Sequence, residues 1–353
     1  MKEGIPHESY INRCLDLARL GSGDTAPNPM VGSVIVYNGR IIGEGLHRQY
    51  GGPHAEVNSI NSVVDQSLLS DSTLYVNLEP CSHTGKTPPC SDLIIQKGIP
   101  RVIIGTVDPN PVVSGNGIRI LEKAGIKIIS NILPEKCREL NKRFFTYHLQ
   151  KRPYIILKWA KTTDGFIDIL REKPELSQPN WISNDISRMV VHKWRAEEQA
   201  ILIGTNTALF DNPRLNVREW PGNSPLRIVI DRNLRLPSSL NLFDQTQSTL
   251  VFNESQDYQQ GKIRYVRLDF NGRILQQMLD YLYNIAIQSV FVEGGKRLIE
   301  SFLNEDLWDE ARVFIGKKQF GSGVTSPVVP AVEPDECLIR EDLLLVYRHQ
   351  SDL

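Results

Sequence analysis

His54-Ala55-Glu56, followed by Pro80-Cys81 and Pro89-Cys90, is the stretch on which the first half of this chain turns. One neutral imidazole and two thiolates make three ligands for a zinc ion. Three protein ligands leave the fourth tetrahedral position to water, as in catalytic sites. Both ligand segments are expected to open helices, where the positive end of the dipole favours thiolate and carboxylate. Positions i and i+2 do not share the side wall of a helix. His54 and Glu56 therefore reach one site only if the metal lies over a helix end, with Glu56 as proton shuttle and not as ligand. Pro88-Pro89 stiffens the approach to Cys90.

Composition sets the frame around that stretch. A chain of 353 residues predicts two domains. A net charge of −1 provides no basic field for nucleic acid. The cysteines, at 14, 81, 90, 137 and 337, are too sparse for a disulfide framework and predict a reducing compartment. No apolar run is long enough to span a bilayer, and the first residues lack the apolar core of a signal peptide. The expectation is a cytoplasmic enzyme with no nucleic-acid or membrane partner.

Outward from His54 the chain reads as alternating elements. A helix is predicted over 10–20, then a turn-rich loop. Strands over 31–37 and 41–47 are joined by the hairpin signal Asn38-Gly39. Helices follow over 54–64, 90–95 and 118–124, and strands over 73–78, 101–106 and 126–129. The result is an α/β layered domain. The boundary falls near Lys151-Arg152-Pro153, which assigns 1–148 and 149–353 to two domains. A second α/β series has strands over 154–160, 200–204, 226–231, 249–252, 265–268, 289–292 and 308–315. Its helices lie over 185–195, 274–285 and 296–303. The tail from Val332 has no readable pattern.

The order H-x-E, P-C, P-C is that of the zinc deaminases, with the second cysteine delayed by an insert from Ser82 to Pro89. A bland reading makes His54 a loop residue and the cysteines buried apolar groups. His83 as a fourth ligand would make the site structural. On the catalytic reading, zinc brings the pKa of a bound water towards neutrality. The hydroxide attacks an amidine-like C–NH2, and Glu56 carries the proton to the ring nitrogen and the leaving ammonia.

Further motifs narrow the reading: Pro27-Asn28-Pro29-Met30-Val31-Gly32, the run from Leu78 through Cys90, and Asp108-Pro109-Asn110-Pro111. Lys158-Trp159-Ala160, Asp164-Gly165, Trp181-Ile182-Ser183, Gly204-Thr205-Asn206-Thr207, the run from Asp211 through Arg218, and Val292-Glu293-Gly294-Gly295-Lys296 complete the set. Together they resemble the bifunctional riboflavin-biosynthesis deaminase–reductase family over nearly the whole chain. The resemblance implies a cytidine-deaminase-like N-terminal domain plus a dihydrofolate-reductase-like C-terminal domain. It implies one Zn2+ per chain, NADPH, a small phosphorylated pyrimidine as substrate, and a homo-oligomer, dimer or tetramer. The two reactions would be deamination of 2,5-diamino-6-ribosylamino-4(3H)-pyrimidinone 5′-phosphate and NADPH-dependent reduction of the ribosyl product to the ribityl compound.

Position by position, the resemblance makes His54, Cys81 and Cys90 the zinc ligands and Glu56 the proton donor. It makes Asn28, His47, His83, Lys86 and Asn110 the substrate-facing set, Lys86 for the phosphate. A solvated loop lysine, turn asparagines at 28 and 110, and a strand-ending His47 are the plain alternatives. In the second half, Arg195, Leu215, Arg218 and Glu293 would face the ribotide, and guanidinium forks suit its phosphate. Ala160, Trp181, Thr207, Asp211, Arg232, Gly295, Lys296, Arg297 and Leu298 would face NADPH. A glycine turn at a helix start suits phosphate, although a bare strand–Gly-Gly–helix turn is more often structural. Arg195 and Arg218 could equally be surface residues, and Trp181 a core residue. One departure stands out: the stretch from Leu170 to Asn180 replaces a short glycine-serine loop with a longer one that has no glycine. Two competing functions are a nucleic-acid base deaminase and a non-catalytic zinc-stabilised nucleotide-binding protein. The charge and the long Cys81–Cys90 spacing oppose the first. The open ligand position and Glu56 oppose the second.

Overall fold

The computed structural model describes residues 6–82, 88–111, 113–171, 180–330 and 332–349. His83, Lys86 and most of the unusual 170–180 loop lie outside the described residues. The chain divides into two units, with the division after Lys151.

In the first unit, α1 (His7–Arg19) precedes a hairpin of β1 (Gly32–Tyr37) and β2 (Arg40–Leu46). Then come α2 (Ala55–Asn61), β3 (Thr73–Leu78), α3 (Cys90–Gln96), β4 (Arg101–Thr106), α4 (Asn116–Lys123), β5 (Lys127–Ile129), α5 (Pro134–Leu140) and α6 (Lys142–Gln150). The strands form one sheet in the order β2-β1-β3-β4-β5, antiparallel across the hairpin and to β3, then parallel. β3 is buried along its whole length, as a strand covered on both faces must be.

Alternation along the strands separates two cores. Ile35, Leu74, Val76, Val102 and Ile104 meet Ile60, Ile94 and Leu121 of α2, α3 and α4. Val34, Val36, Tyr75 and Ile103 meet α1 and Cys137 of α5 on the other face. This partition places the starts of α2 and α3, and with them His54 and Cys90, on one side of the sheet. Gly45 permits the close seating of α2 on β2, since a Cβ there would lie 2.2 Å from the Ser59 nitrogen.

Two differences from the sequence reading have local causes. Helix α2 stops at Asn61 because the Gln66 amide takes the carbonyls of Ile60 and Val63, at 2.8 and 2.9 Å, and turns the chain. Helices α5 and α6 have no counterpart in the sequence reading, and Asn141, at φ −104° and ψ 24°, breaks the helical period between them.

The second unit contains β6 (Tyr154–Thr162), β7 (Phe166–Asp168), α7 (Asp185–Glu197), β8 (Ala200–Gly204), α8 (Thr205–Asp211), β9 (Leu226–Ile230), β10 (Thr249–Asn253), β11 (Tyr258–Gln260) and β12 (Ile263–Arg267). It continues with α9 (Ile274–Asn284), β13 (Ser289–Val292), α10 (Lys296–Asn304), β14 (Glu310–Gly316), β15 (Val324–Thr325), β16 (Asp335–Ile339) and β17 (Asp342–Arg348). Its main sheet runs β11-β12-β10-β9-β8-β13-β6-β14-β17-β16. The strands from β12 to β14 are parallel, and antiparallel strands close both edges. The tail without a readable pattern is thus two strands of this sheet. Leu343 to Val346 is an apolar run without alternation, and it pairs on both sides. Ligand sites of parallel sheets lie beyond the carboxyl ends of the strands. Here those ends carry Gly204, Glu293 and the Gly294-Gly295 turn into α10.

Candidate active sites

The first site gathers His54, Cys81 and Cys90. His54 caps α2 in an extended conformation, Cys81 follows β3, and Cys90 is the first residue of α3. His54 Nδ1 lies 3.4 Å from Cys81 Sγ and 3.3 Å from Cys90 Sγ. The Cys90 N–H donates to Cys81 Sγ at 3.3 Å. Among the described residues this is the one group of three or more such side chains able to hold a metal ion. A Cys90 hydrogen bond, with help from His54, holds the Cys81 thiol well below its ordinary range, and Cys90 is pushed up in return. Two thiols this close share one negative charge until a cation takes both, which suits them to zinc.

Glu56, one residue into the same helix, is buried, and its carboxyl meets the Cys90 thiol. Burial, then the charge of Cys81, pushes it up to about 7. It stands beside the metal-holding group without joining it, so one helix end presents both ligand and carboxyl.

His47 and Asn28 stand against this cluster. The His47 and His54 rings are 5.5 Å apart, edge to face. His47 Nδ1 is 3.0 Å from the Pro53 carbonyl and Nε2 is 3.1 Å from Asn28 Nδ2. A carbonyl only accepts, so Nδ1 carries the hydrogen; burial keeps the ring neutral, and Nε2 accepts from the Asn28 amide. Asn28 is thereby more than a turn residue. Asn110 lies in the loop after β4, its N–H donating to Asp108 Oδ1 at 2.7 Å.

The second unit has two adjoining cavities, of about 590 and 550 Å³, at the carboxyl ends of its parallel strands. Thr207, Asp211, Gly295 and Arg171 line both. The first is also lined by Lys296, Arg297, Leu298, Asn206 and Arg235. The second is lined by Lys158, Ala160, Trp181, His192, Arg195, Leu215, Arg218 and Glu293, among others. Six cationic side chains face three carboxylates there, so the cavity suits an anion.

Individual roles differ from what composition implies. The Arg195 fork is taken by Glu293, at 2.6 and 2.8 Å, with both side chains nearly buried. Arg218 is more exposed, touching Asn216 and Glu219. Leu215 packs into the core in a left-handed conformation, φ 51°, so backbone is what it offers a ligand. Trp181 is exposed at the rim, with the Arg188 guanidinium 5.1 Å over its ring. Arg232 lines neither cavity; it pairs with Glu254 at 2.8 and 2.9 Å, and Arg235 stands in the lining instead. Lys158, His192 and Arg171 also line these cavities, although the sequence reading gives them no site role. Lys158 was findable as a lysine inside the apolar run of a central strand.

His192 is buried, with its Nδ1 accepting the Arg218 N–H at 3.3 Å. Burial, followed by the charges of Arg195 and Arg218, pushes it down to about 4 from its ordinary 6.5. The unfolded chain therefore binds more protons between these values, and stability falls as pH drops from 6.5 to 4. Denaturant titrations across that window should give a shallower fall for His192→Gln than for the parent; equal slopes would contradict the assignment.

Comparison with known proteins now bears on both sites. Residues 5–106 match the cytidine and deoxycytidylate deaminase zinc-binding region, and residues 153–342 match the RibD C-terminal domain. The riboflavin biosynthesis protein RibD of Aquifex aeolicus is 40% identical over 90% of this chain and 89% of its own length. The chain belongs to the RibD family. The RibD of Escherichia coli is 35% identical over 89% of each chain. A Thermotoga maritima structure superposes with a TM-score of 0.85 at 37% identity, over 97% of this chain and 98% of that one. It is described as a diaminohydroxyphosphoribosylaminopyrimidine deaminase/5-amino-6-(5-phosphoribosylamino)uracil reductase. Acinetobacter baumannii RibD superposes with a TM-score of 0.86 at 29% identity, over 98% of this chain and 99% of that one. The chain thus joins a first unit with the cytidine and deoxycytidylate deaminase zinc-binding region to a second unit of the RibD C-terminal type.

Proposed function

We propose that the first unit deaminates 2,5-diamino-6-ribosylamino-4(3H)-pyrimidinone 5′-phosphate and that the second reduces the resulting 5-amino-6-(5-phosphoribosylamino)uracil to its ribityl form. The observation that carries the reading is the buried Glu56 carboxyl beside the His54–Cys81–Cys90 group. Those three residues would hold zinc, which when bound would supply an activated water. Glu56 accepts a proton from the attacking water and gives it to the ring nitrogen, then takes the second proton from the new hydroxyl and gives it to the departing amine, so ammonia leaves and oxygen takes its place. His47, fixed by the Pro53 carbonyl, orients the Asn28 amide towards the pyrimidine. His83 and Lys86 face the substrate in the same reading, Lys86 at the phosphate, and Asn110 completes the set.

In the second unit the residues present fit NADPH. A side chain at Gly295 would crowd Thr207 Oγ1, at 3.1 Å, so the turn leaves a cradle there. Arg235, Lys296 and Arg297 supply the cations that phosphates need, while Leu298 supplies apolar wall. Thr207 and Asp211 line both cavities, and Ala160 and Trp181 line the second. When bound, NADPH would supply the hydride for the anomeric sugar carbon, whose bond to the ring oxygen breaks while that oxygen takes a proton from solvent. The protein orients the ribotide through Glu293, held by Arg195, and takes its phosphate at Arg218. A cytoplasmic homo-oligomer belongs to the same reading; the five unpaired cysteines support the reducing compartment, and sedimentation tests the assembly.

The test is one coupled assay on zinc-replete protein with the diaminopyrimidinone ribotide, following ammonia and NADPH together. Ammonia first, with NADPH oxidation depending on it, is expected. Ammonia without NADPH oxidation would leave the reductase reading without support. Neither signal would overturn both readings.

A further inference from the structure

Glu79 takes no part in the proton path above, yet its carboxylate accepts four backbone N–H groups. It is 4% exposed. Its Oε2 accepts the N–H groups of Asp108 and Gly115, at 3.3 and 2.9 Å. Its Oε1 accepts those of Gly117 and Ile118, at 2.9 and 3.2 Å. All four donors belong to the segment that leaves β4, carries Asn110 and enters α4. The same segment presses on the next residue: a Cβ at Gly117 would lie 2.1 Å from the Pro80 carbonyl oxygen. Asp108 Oδ1 then accepts the Asn110 N–H, which fixes Asn110. One side chain, two residues from Cys81, therefore ties the Asn110 segment to the segment that delivers a cysteine to the metal-holding group. A buried carboxylate needs such donors, and these backbone donors need an acceptor, so each fixes the other.

We propose that Glu79 is a positioning residue of the deaminase, locking the Asp108–Ile118 segment onto Pro80-Cys81 and so setting Asn110 against the pyrimidine. This rests on the reading of the first unit as a deaminase with Asn110 facing its substrate.

Glu79→Gln tests it. The glutamine has nearly the same shape but one acceptor oxygen, so two backbone N–H groups would face an amide NH2. The expected result is a KM for the ribotide in ammonia release raised about 10-fold or more, with a smaller change in kcat. Zinc content stays at that of the parent, and reductase kinetics of the same chain are unchanged. Because Glu79 acts through Asn110, the double variant Glu79→Gln/Asn110→Ala should be no worse than Asn110→Ala alone. Unchanged KM, additive effects in the double variant, or lost zinc in the single one would each overturn the proposal; lost zinc would make Glu79 a support of Cys81 only. Should Glu79→Gln not fold, Glu79→Asp keeps the charge and shortens the reach, and the same KM rise is expected, an unchanged KM overturning the idea. A parent chain that releases no ammonia would overturn the deaminase reading and this one with it. A parent that does, beside variants of unchanged kinetics, overturns this one alone.

Discussion

Glu56→Gln is expected to lower kcat for ammonia release by about 10³-fold while the chain keeps its zinc, in line with the usual contribution of a positioned acid or base. Glutamine preserves the volume of the buried side chain and its place one residue into α2. What it loses is the ability to take a proton and give it back. The carboxyl stands in a site where burial first, and the Cys81 charge next, push it up to about 7, so both protonation states are within reach near neutrality. The metal-holding group does not include Glu56, so His54, Cys81 and Cys90 remain intact. The check is metal analysis beside a stopped-time ammonia assay. Zinc at the parental level with undiminished turnover would remove Glu56 from the mechanism; lost zinc would make it a support of the metal instead.

Glu293→Ala is expected to remove about 3–5 kcal/mol of stability from the second unit, the usual cost of leaving one member of a buried ion pair alone. The uncompensated group is Arg195, 12% exposed at its side chain, with Lys158 nearby to add repulsion. Reductase kcat/KM should fall about 100-fold or more, since a small displacement of a positioning group is enough for that. Ammonia release by the first unit should be unaffected. Burial acts to raise the Glu293 carboxyl, but the charge and hydrogen bond of Arg195, then Lys158, outweigh it and leave it lowered. The sign for a lowered carboxyl is that its stabilisation is present above the ordinary carboxylate range and is lost as pH falls through the lowered value. Glu293→Ala should therefore flatten the acid limb of the second unit's unfolding curve. A variant with parental stability and reductase activity would contradict the pair's importance.

The elements that sequence alone determined are those whose pattern is local. β3, β4, β8 and β13 are short apolar runs bounded by turns, and their limits in the sequence and in the structure coincide. The cluster of His54, Cys81 and Cys90 was legible because ligand chemistry demands those residue types in that order. Other features had no local signal. α5 and α6 are broken by Asn141, and β16 and β17 exist as strands because each finds a neighbour in the sheet.

Within the sites the same division holds. Sequence determined which residues have the chemistry: an imidazole, two thiols, a carboxylate, a glycine turn and a set of guanidinium groups. Tertiary structure alone decided which of them meet. It spent the Arg195 fork on Glu293, set Arg232 on Glu254 away from the cavities, and put Arg235 in the lining. It also brought His47 to Asn28 and four distant N–H groups to Glu79. The physical reason is that a hydrogen bond or ion pair depends on distances of a few ångströms between residues far apart in the chain, and those distances are set by how helices pack on a sheet, as α2, α3 and α4 do on one face in the first unit.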